Sequence, residues 1–354
     1  MNKKLLSVVI GAALAGSMSL AQADVTLYGQ IDASIDSVDA DAGGDDINMN
    51  SNYSAFGIRG FEDLGNGLKA IFQAEFQYDT TGGGDGPLGY GGYGGYGGFG
   101  GSSSLTDRDQ WLGLAGSFGT VRLGKVFTSY RDHGAMIDPM FRTSFEGRSA
   151  LLQDPILNGD IAGENGEGLA TDTIRFDSAD YNGLGFSAHY TFDSTEDDTG
   201  NGVTGDPGDE DNDSYGLGGQ YKNGNILAYA DYITNDNGDN DDAWKVGGSY
   251  TMGNFGVYGQ YEQGGLLFAG LSDDGANIWH LGGSFTMGNT MLYGAYGQGD
   301  NDVSGIGEIS STSWTLAAMH SLSQRTKLYA GFTQVDEDAA GEFDHFGLGV
   351  RHSF

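Results

Sequence analysis

The 354-residue chain has no cysteine and only four prolines. Without cysteine there is no disulfide framework, no thiolate nucleophile and no Cys-ligated metal. Basic residues are scarce, 16 against 49 acidic ones, for a formal net charge of −33. A chain this acidic is a poor partner for nucleic acid. After residue 23, no apolar run approaches the roughly 20 residues that a membrane-spanning helix needs. No long apolar stripe recurs at the 3.6-residue helical period. The six histidines, His133, His189, His280, His320, His345 and His352, form neither an H-x-x-x-H nor an H-E-x-x-H spacing. No G-x-S-x-G elbow accompanies the serines. No catalytic constellation stands out, and the chain is expected not to be an enzyme and to hold no resident cofactor.

Glycine is abundant, at 64 residues, with 19 tyrosines and 19 phenylalanines. Glycine at this level disfavours helix. Lys3 and Lys4, the apolar stretch Leu5 to Leu20 and the Ala21-Gln22-Ala23 site read as an export signal over residues 1–23, to be cleaved before Asp24. That segment holds two of the basic residues and none of the acidic ones, so residues 24–354 carry −35. At the other end, Phe346, Leu348, Val350, His352 and Phe354 alternate with His345, Gly347, Gly349, Arg351 and Ser353. Such alternation is the mark of a strand with one apolar and one polar or small face.

The same alternation recurs along the chain. Ala70, Phe72, Ala74, Phe76 and Tyr78 oppose Lys69, Gln73, Glu75 and Gln77. Trp244, Val246 and Tyr250 oppose Lys245, Ser249 and Thr251. Strands are expected at 25–38, 50–63, 67–79, 106–118, 120–128, 171–180, 184–193, 214–222, 225–234, 243–252, 255–263, 276–287, 290–299, 312–322, 326–335 and 344–354. Short Gly/Asn turns such as Asn223-Gly224, Gly253-Asn254 and Gly288-Asn289 alternate with long acidic or glycine-rich connections. Period alone does not say whether the apolar face points inward, as in a soluble sandwich, or outward. Export, the aromatic content and the turn/loop asymmetry favour outward. The expected fold is therefore all-β: one domain, residues 24–354, forming a sixteen-stranded antiparallel transmembrane β-barrel in a Gram-negative outer membrane. A barrel of that size leaves an aqueous channel.

Val25–Asp32 (VTLYGQID), Phe56–Glu75 (FGIRGFEDLGNGLKAIFQAE), Trp111–Lys125 (WLGLAGSFGTVRLGK) and the strand ending at Phe354 resemble the general diffusion porins of beta- and gammaproteobacteria. The resemblance implies a homotrimer of barrels, passive passage of small hydrophilic solutes and ions, and a third outer loop folded into the lumen. It places that constriction loop at 129–170 and a glycine/tyrosine-rich second outer loop at 80–105. In such porins loop acids face wall arginines across the narrowest point, where fixed charge acts at close range. The implied constriction residues are Arg108, Arg59 and Arg122 on the wall and Asp138 and Glu146 on the loop. Arg131, Arg142, Arg148 and Asp154 are further third-loop candidates. Two cations of the family pattern are replaced here, by Ala55 and Gln30. Phe354 matches the terminal aromatic read by the barrel-assembly machinery.

Three other features carry expectations. The run Gly82–Gly101 offers Tyr90, Tyr93, Tyr96 and Phe99 as a subunit latch or adhesive surface, against a flexible insertion that its glycines favour. Asp206, Asp209, Asp211 and Asp213 form the acidic run DPGDEDND, a weak candidate for loosely held Ca²⁺ or Mg²⁺, or for divalent bridges to lipopolysaccharide phosphates. Tyr130, Phe141 and Phe145 are the aromatics that a sugar- or oligosaccharide-specific porin would use. A surface adhesin with a closed lumen is the alternative outside transport. The excess of acid in the outer loops favours cations.

Overall fold

The computed structural model describes residues 24–41, 45–81, 105–147, 169–192, 213–234, 242–264, 276–303, 307–338 and 341–354. The export segment 1–23 and the Gly82–Gly101 run up to residue 104 lie outside the described residues. The strands are β1 (Asp24–Ala40), β2 (Asp46–Ser51), β3 (Ala55–Gly65), β4 (Leu68–Gln77), β5 (Thr106–Gly116) and β6 (Gly119–Phe127). One short helix follows, α1 (Ser129–Ala135). Then come β7 (Leu169–Ser178), β8 (Leu184–Thr191), β9 (Ser214–Asn223), β10 (Ile226–Thr234), β11 (Asp242–Met252) and β12 (Phe255–Gly264). The last five are β13 (Asn277–Met287), β14 (Thr290–Val303), β15 (Gly307–Ser321), β16 (Thr326–Glu337) and β17 (Gly341–Ser353).

Every neighbouring pair is antiparallel, and β1 pairs with both β3 and β17, so the sheet closes on itself. β2 and β3 both pair along β1 and together make one wall strand, interrupted at Asn52–Ser54. The wall therefore has sixteen strands, as expected. The strand expected at 50–63 is this broken one. The long connection expected between residues 299 and 312 is shorter, because β14 and β15 continue pairing up to Val303↔Gly307. Polar and small residues dominate this extension, with Val303 and Ile309 as isolated apolar positions, so the sequence there carries no run of apolar alternation.

Hairpin turns at one end are short. Gly253 (φ +61) and Gly288 (φ +59) occupy left-handed backbone, which a two-residue hairpin requires at its first position and which glycine adopts without penalty. Phe354 lies at this same end. Its N–H donates to the Gly29 carbonyl at 3.0 Å, and its carbonyl accepts from the Gly29 N–H at 3.1 Å.

The apolar parity points outward. Phe186, Leu217, Leu281, Leu316 and Leu348 are exposed, while Lys245, Glu262, Thr315 and His345 on the opposite parity are buried. Leaving such side chains in water costs about 1.5–3 kcal/mol each, so this face is built for lipid. Toward the long-loop end, aromatic rings tile the outside, with Trp244–Tyr261 and Trp279–Tyr296 both at 5.4 Å. Phe255–Phe285, at 4.7 Å, sits at the turn end. These are the two girdles of a transmembrane barrel.

The inward face carries a row of tyrosines, Tyr229, Tyr258, Tyr293 and Tyr329, on the alternate strands β10, β12, β14 and β16. Three of them lie over glycines of the next strand, Tyr229 over Gly247, Tyr258 over Gly282 and Tyr329 over Gly349. A Cβ at any of these glycines would collide with the ring.

The lipid assignment has a direct check. Leu281 is 59% exposed midway along β13. Leu281→Arg should cost about 2–4 kcal/mol of folding stability in lipid vesicles. An unchanged urea unfolding midpoint would mean that this face does not meet hydrocarbon.

Candidate functional site

The chain turns into the lumen directly after β6. Thr128 caps α1, its hydroxyl accepting from the Arg131 N–H at 3.3 Å. The loop then runs through tight turns to Gly147, the last residue described before 169. Its apolar side, Ile137, Met140 and Phe145, is buried against the four tyrosines and Met319. The barrel interior otherwise offers few apolar surfaces, so the tyrosine row is where this segment is held.

Polar contacts fix it further. His133 Nδ1 lies 2.9 Å from both carboxylate oxygens of Asp231 on β10. Arg175 on β7 donates to Asp132 Oδ2 at 2.8 Å and to the Phe127 carbonyl. The Tyr293 hydroxyl donates to Asp138 Oδ2 at 3.0 Å and accepts from the Gly147 N–H at 3.2 Å. Phe145 stacks on His345 at 4.8 Å. Burial alone would push the Asp132 carboxyl up, but the charges of Arg175 and Arg131 outweigh it and hold it below the ordinary carboxylate value.

The facing wall departs from regular pairing twice. A bulge between Ala74 and Phe76 sends both Arg108 and Asp109 of β5 to the buried side. The break between β2 and β3 puts Tyr53 in left-handed backbone, φ +55. Asn52 braces that break, donating to Ser34 Oγ at 2.8 Å and to the Tyr329 hydroxyl at 3.0 Å.

Three arginines meet there. Arg108, 1% exposed, donates to Glu75 Oε1 at 3.0 Å and lies 5.4 Å from the Tyr53 ring and 5.3 Å from the Phe127 ring. Arg131 sits 3.9 Å over Phe127 and 5.0 Å from Phe141. Arg142 lies 5.2 Å from Phe141, 5.7 Å from Tyr53 and 6.0 Å from Phe127. Three guanidiniums thus share three aromatic faces, which attract cations through their quadrupoles. Burial, with the like charges of Arg108 and Arg131, pushes Arg142 down to about 9, which leaves it protonated at neutral pH.

Of the residues named from sequence, Arg108, Arg131 and Arg142 come together in this cluster. Asp138 and Glu146 are buried within the loop. Asp138 Oδ1 accepts from the Met140 N–H, and Glu146 Oε2 from the Arg142 N–H, both at 2.8 Å. Arg59 and Arg122 lie on the lumen face apart from the cluster, Arg59 beside Tyr28 at 4.9 Å and Arg122 paired with Asp177. Asp213 accepts from the Tyr190 hydroxyl. Arg148, Asp154, Asp206, Asp209 and Asp211 lie outside the described residues. Sequence reasoning did not single out Arg175, Arg351 or Tyr53. Lumen parity is a signal for the two arginines, whereas the backbone break that turns Tyr53 inward leaves no mark in the local pattern.

Residues 7–340 match the Gram-negative porin family. The chain belongs to that family. Among sequence relatives, the major outer membrane protein P.IA of Neisseria meningitidis serogroup C is 29% identical over 269 residues, spanning 65% of this chain and 59% of the relative. P.IB of serogroup B is 26% identical over 237 residues, spanning 64% and 57%. The chain thus spans about three-fifths of the length of these relatives. Among solved structures, an anion-selective porin from Comamonas acidovorans superposes with a TM-score of 0.74 at 22% identity, covering 94% of this chain and all of that one. Salmonella typhi OmpF in complex with daunomycin gives 0.67 at 16% identity, covering 93% and 97%. At these identities the likeness is one of fold: the porin is a closed sixteen-stranded barrel of the outer membrane.

The acid anchor of the loop carries a pH prediction. A carboxylate held below its ordinary value contributes stability that is complete above about pH 4 and is lost as pH falls through the lower folded value. Open-channel current noise should therefore rise only in acid, below about pH 4. Asp132→Asn should show that noise at neutral pH. A noise level independent of pH in the wild type would rule out this anchor as a source of loop order.

Proposed function

We propose that the porin is a passive diffusion channel for small hydrophilic solutes and ions, assembled as a homotrimer. The observation that carries this is a polar-lined barrel partly filled by its own loop, with fixed charge gathered where the loop faces the wall. No chemistry is required of such a lumen. It has only to set size and sign.

The sign comes from two competing charges. The outer loops hold most of the acidic excess, and charge at a mouth enriches counter-ions over a Debye length, about 30 Å at 0.01 M salt and about 3 Å at 1 M. The cluster of Arg108, Arg131 and Arg142 acts inside, where salt screens less. We therefore infer a cation preference at low salt that fades as salt rises, with the arginines pulling against it. One fold neighbour bears the name anion-selective, which fits an arginine-dominated narrow point. Reversal potentials across a KCl gradient, at low and high mean salt, test this. Arg142→Ser should move the preference further toward cations at every salt concentration. An anion preference at low salt would show that the cluster outweighs the mouth.

A sugar-specific channel would display aromatics along its path. Tyr130 and Phe145 are buried, which leaves only Phe141 partly exposed, so this alternative is less favoured. A current blocked by one sugar would restore it, and absence of conductance would favour the adhesin. Lipopolysaccharide contacts, with loosely held Ca²⁺ or Mg²⁺ at the acidic loops, belong to the same proposal.

Phe354 is proposed as the assembly signal. It faces outward beside Gly29 and lines no part of the lumen. Its deletion should lower the folded protein recovered from the outer membrane and leave single-channel conductance unchanged. Normal yield from the deletion strain would count against the assignment.

A further inference from the structure

Arg351 lies on the lumen face of β17, in register with Asp32 of β1, at the seam where the barrel closes. Its guanidinium is mostly buried and reaches three acceptors. Nε donates to Asp32 Oδ2 at 2.5 Å. Nη1 donates to the Phe141 carbonyl at 3.0 Å, and Nη2 donates to the Arg142 carbonyl. One side chain thus joins the seam to two consecutive carbonyls of the inserted loop. The wall side of the clamp is itself braced, since Asp32 is fully buried and its Oδ1 accepts from the Tyr329 hydroxyl at 2.5 Å.

The loop side is unusual. Arg142 has φ +62, a left-handed conformation uncommon for a residue with a long side chain. Its N–H is held by Glu146 and its carbonyl by Arg351. Backbone fixed at both ends determines where the side chain departs, and here it departs toward Tyr53, Phe127 and Phe141, beside Arg108 and Arg131. Arg351 does not itself stack on any ring of that cluster among the described residues.

We propose that Arg351 is a positioning residue for the constriction: it clamps the Phe141–Arg142 turn of the inserted loop and thereby places Arg142 in the arginine cluster. The planar fork of an arginine suits this task, because its donors reach three acceptors in fixed directions, which a lysine ammonium does not do. A consequence is that the charge at the narrow point is completed only when β17 has paired with β1. The proposal rests on the view that the arginine cluster tunes ion preference.

The test uses the full chain in planar bilayers and compares Arg351→Lys, Arg142→Ser and the double variant. Arg351→Lys keeps the charge, so a selectivity change cannot come from a lost cation. Expected results are a shift of the K⁺/Cl⁻ permeability ratio toward cations in Arg351→Lys, in the same direction as Arg142→Ser, together with raised open-channel noise. The double variant should shift no further than Arg142→Ser alone. Additive shifts would show that Arg351 acts on ions independently, and would overturn the clamp. An unchanged ratio and noise in Arg351→Lys, with a clear shift in Arg142→Ser, would overturn it too. No shift in Arg142→Ser would instead remove the role of the cluster. Arg351→Gln serves as the second variant. If neither it nor Arg351→Lys yields heat-modifiable trimers, Arg351 is a folding residue and the proposal fails.

Discussion

A backbone N–H or carbonyl in hydrocarbon finds no water, and each one left unpaired costs several kcal/mol. That constraint governs the rest of the molecule. It forces the sheet to close, and the closure is the ladder from Gln30↔Ser353 to Ala40↔Phe343. Closure fixes which parity of every strand looks outward. With Leu281 and Leu348 outside, Lys245, Glu262 and His345 go inside, and the lumen becomes a place where charge and hydrogen bonding concentrate. The break at Asn52–Ser54 survives because side chains replace the missing ladder, notably Asn52 on Ser34 and Tyr329, and Ser54 on the Asp32 N–H.

An inserted loop needs somewhere apolar to sit, in an interior that is mostly polar. The tyrosine row supplies it. A tyrosine is suited to the task because its ring packs while its hydroxyl bonds. Tyr293 does both, its ring packing beside Tyr258 in the cluster that buries Met140 and Phe145 and its oxygen holding Asp138 and Gly147. The same loop carries Arg131 and Arg142 toward Arg108. Three like charges at close range repel one another, and the arrangement persists because Glu75 pairs with Arg108, Asp132 pairs with Arg131, and aromatic faces and fixed backbone hold all three. Asp138 and Glu146 contribute to that holding through backbone amides. Loop order and fixed charge therefore have common supports, and loosening one changes the other.

The strands and most of their ends were legible in the sequence, because alternation and Gly/Asn turns are local signals. Gly253-Asn254 and Gly288-Asn289 mark their hairpins without any knowledge of partners. Where the local signal was mute, the expectation fell short. The extension of β14 and β15 runs through mostly polar and small residues, with only Val303 and Ile309 apolar. The break that splits the second wall strand leaves no trace in the apolar pattern. At the site, Arg108, Arg131 and Arg142 were visible as candidates, but their meeting around Tyr53, Phe127 and Phe141 was not.

By itself the sequence determined a series of alternating strands joined by tight turns and by long acidic connections, because period two and turn chemistry depend only on neighbours along the chain. Export and composition, not period, pointed the apolar face outward. The tertiary structure alone decided how the lumen is furnished. Tyr293 finds Asp138 across 155 positions, and Arg351 finds the Phe141 carbonyl across 210. Such contacts arise from the geometry of closure, which brings together residues that no local pattern relates.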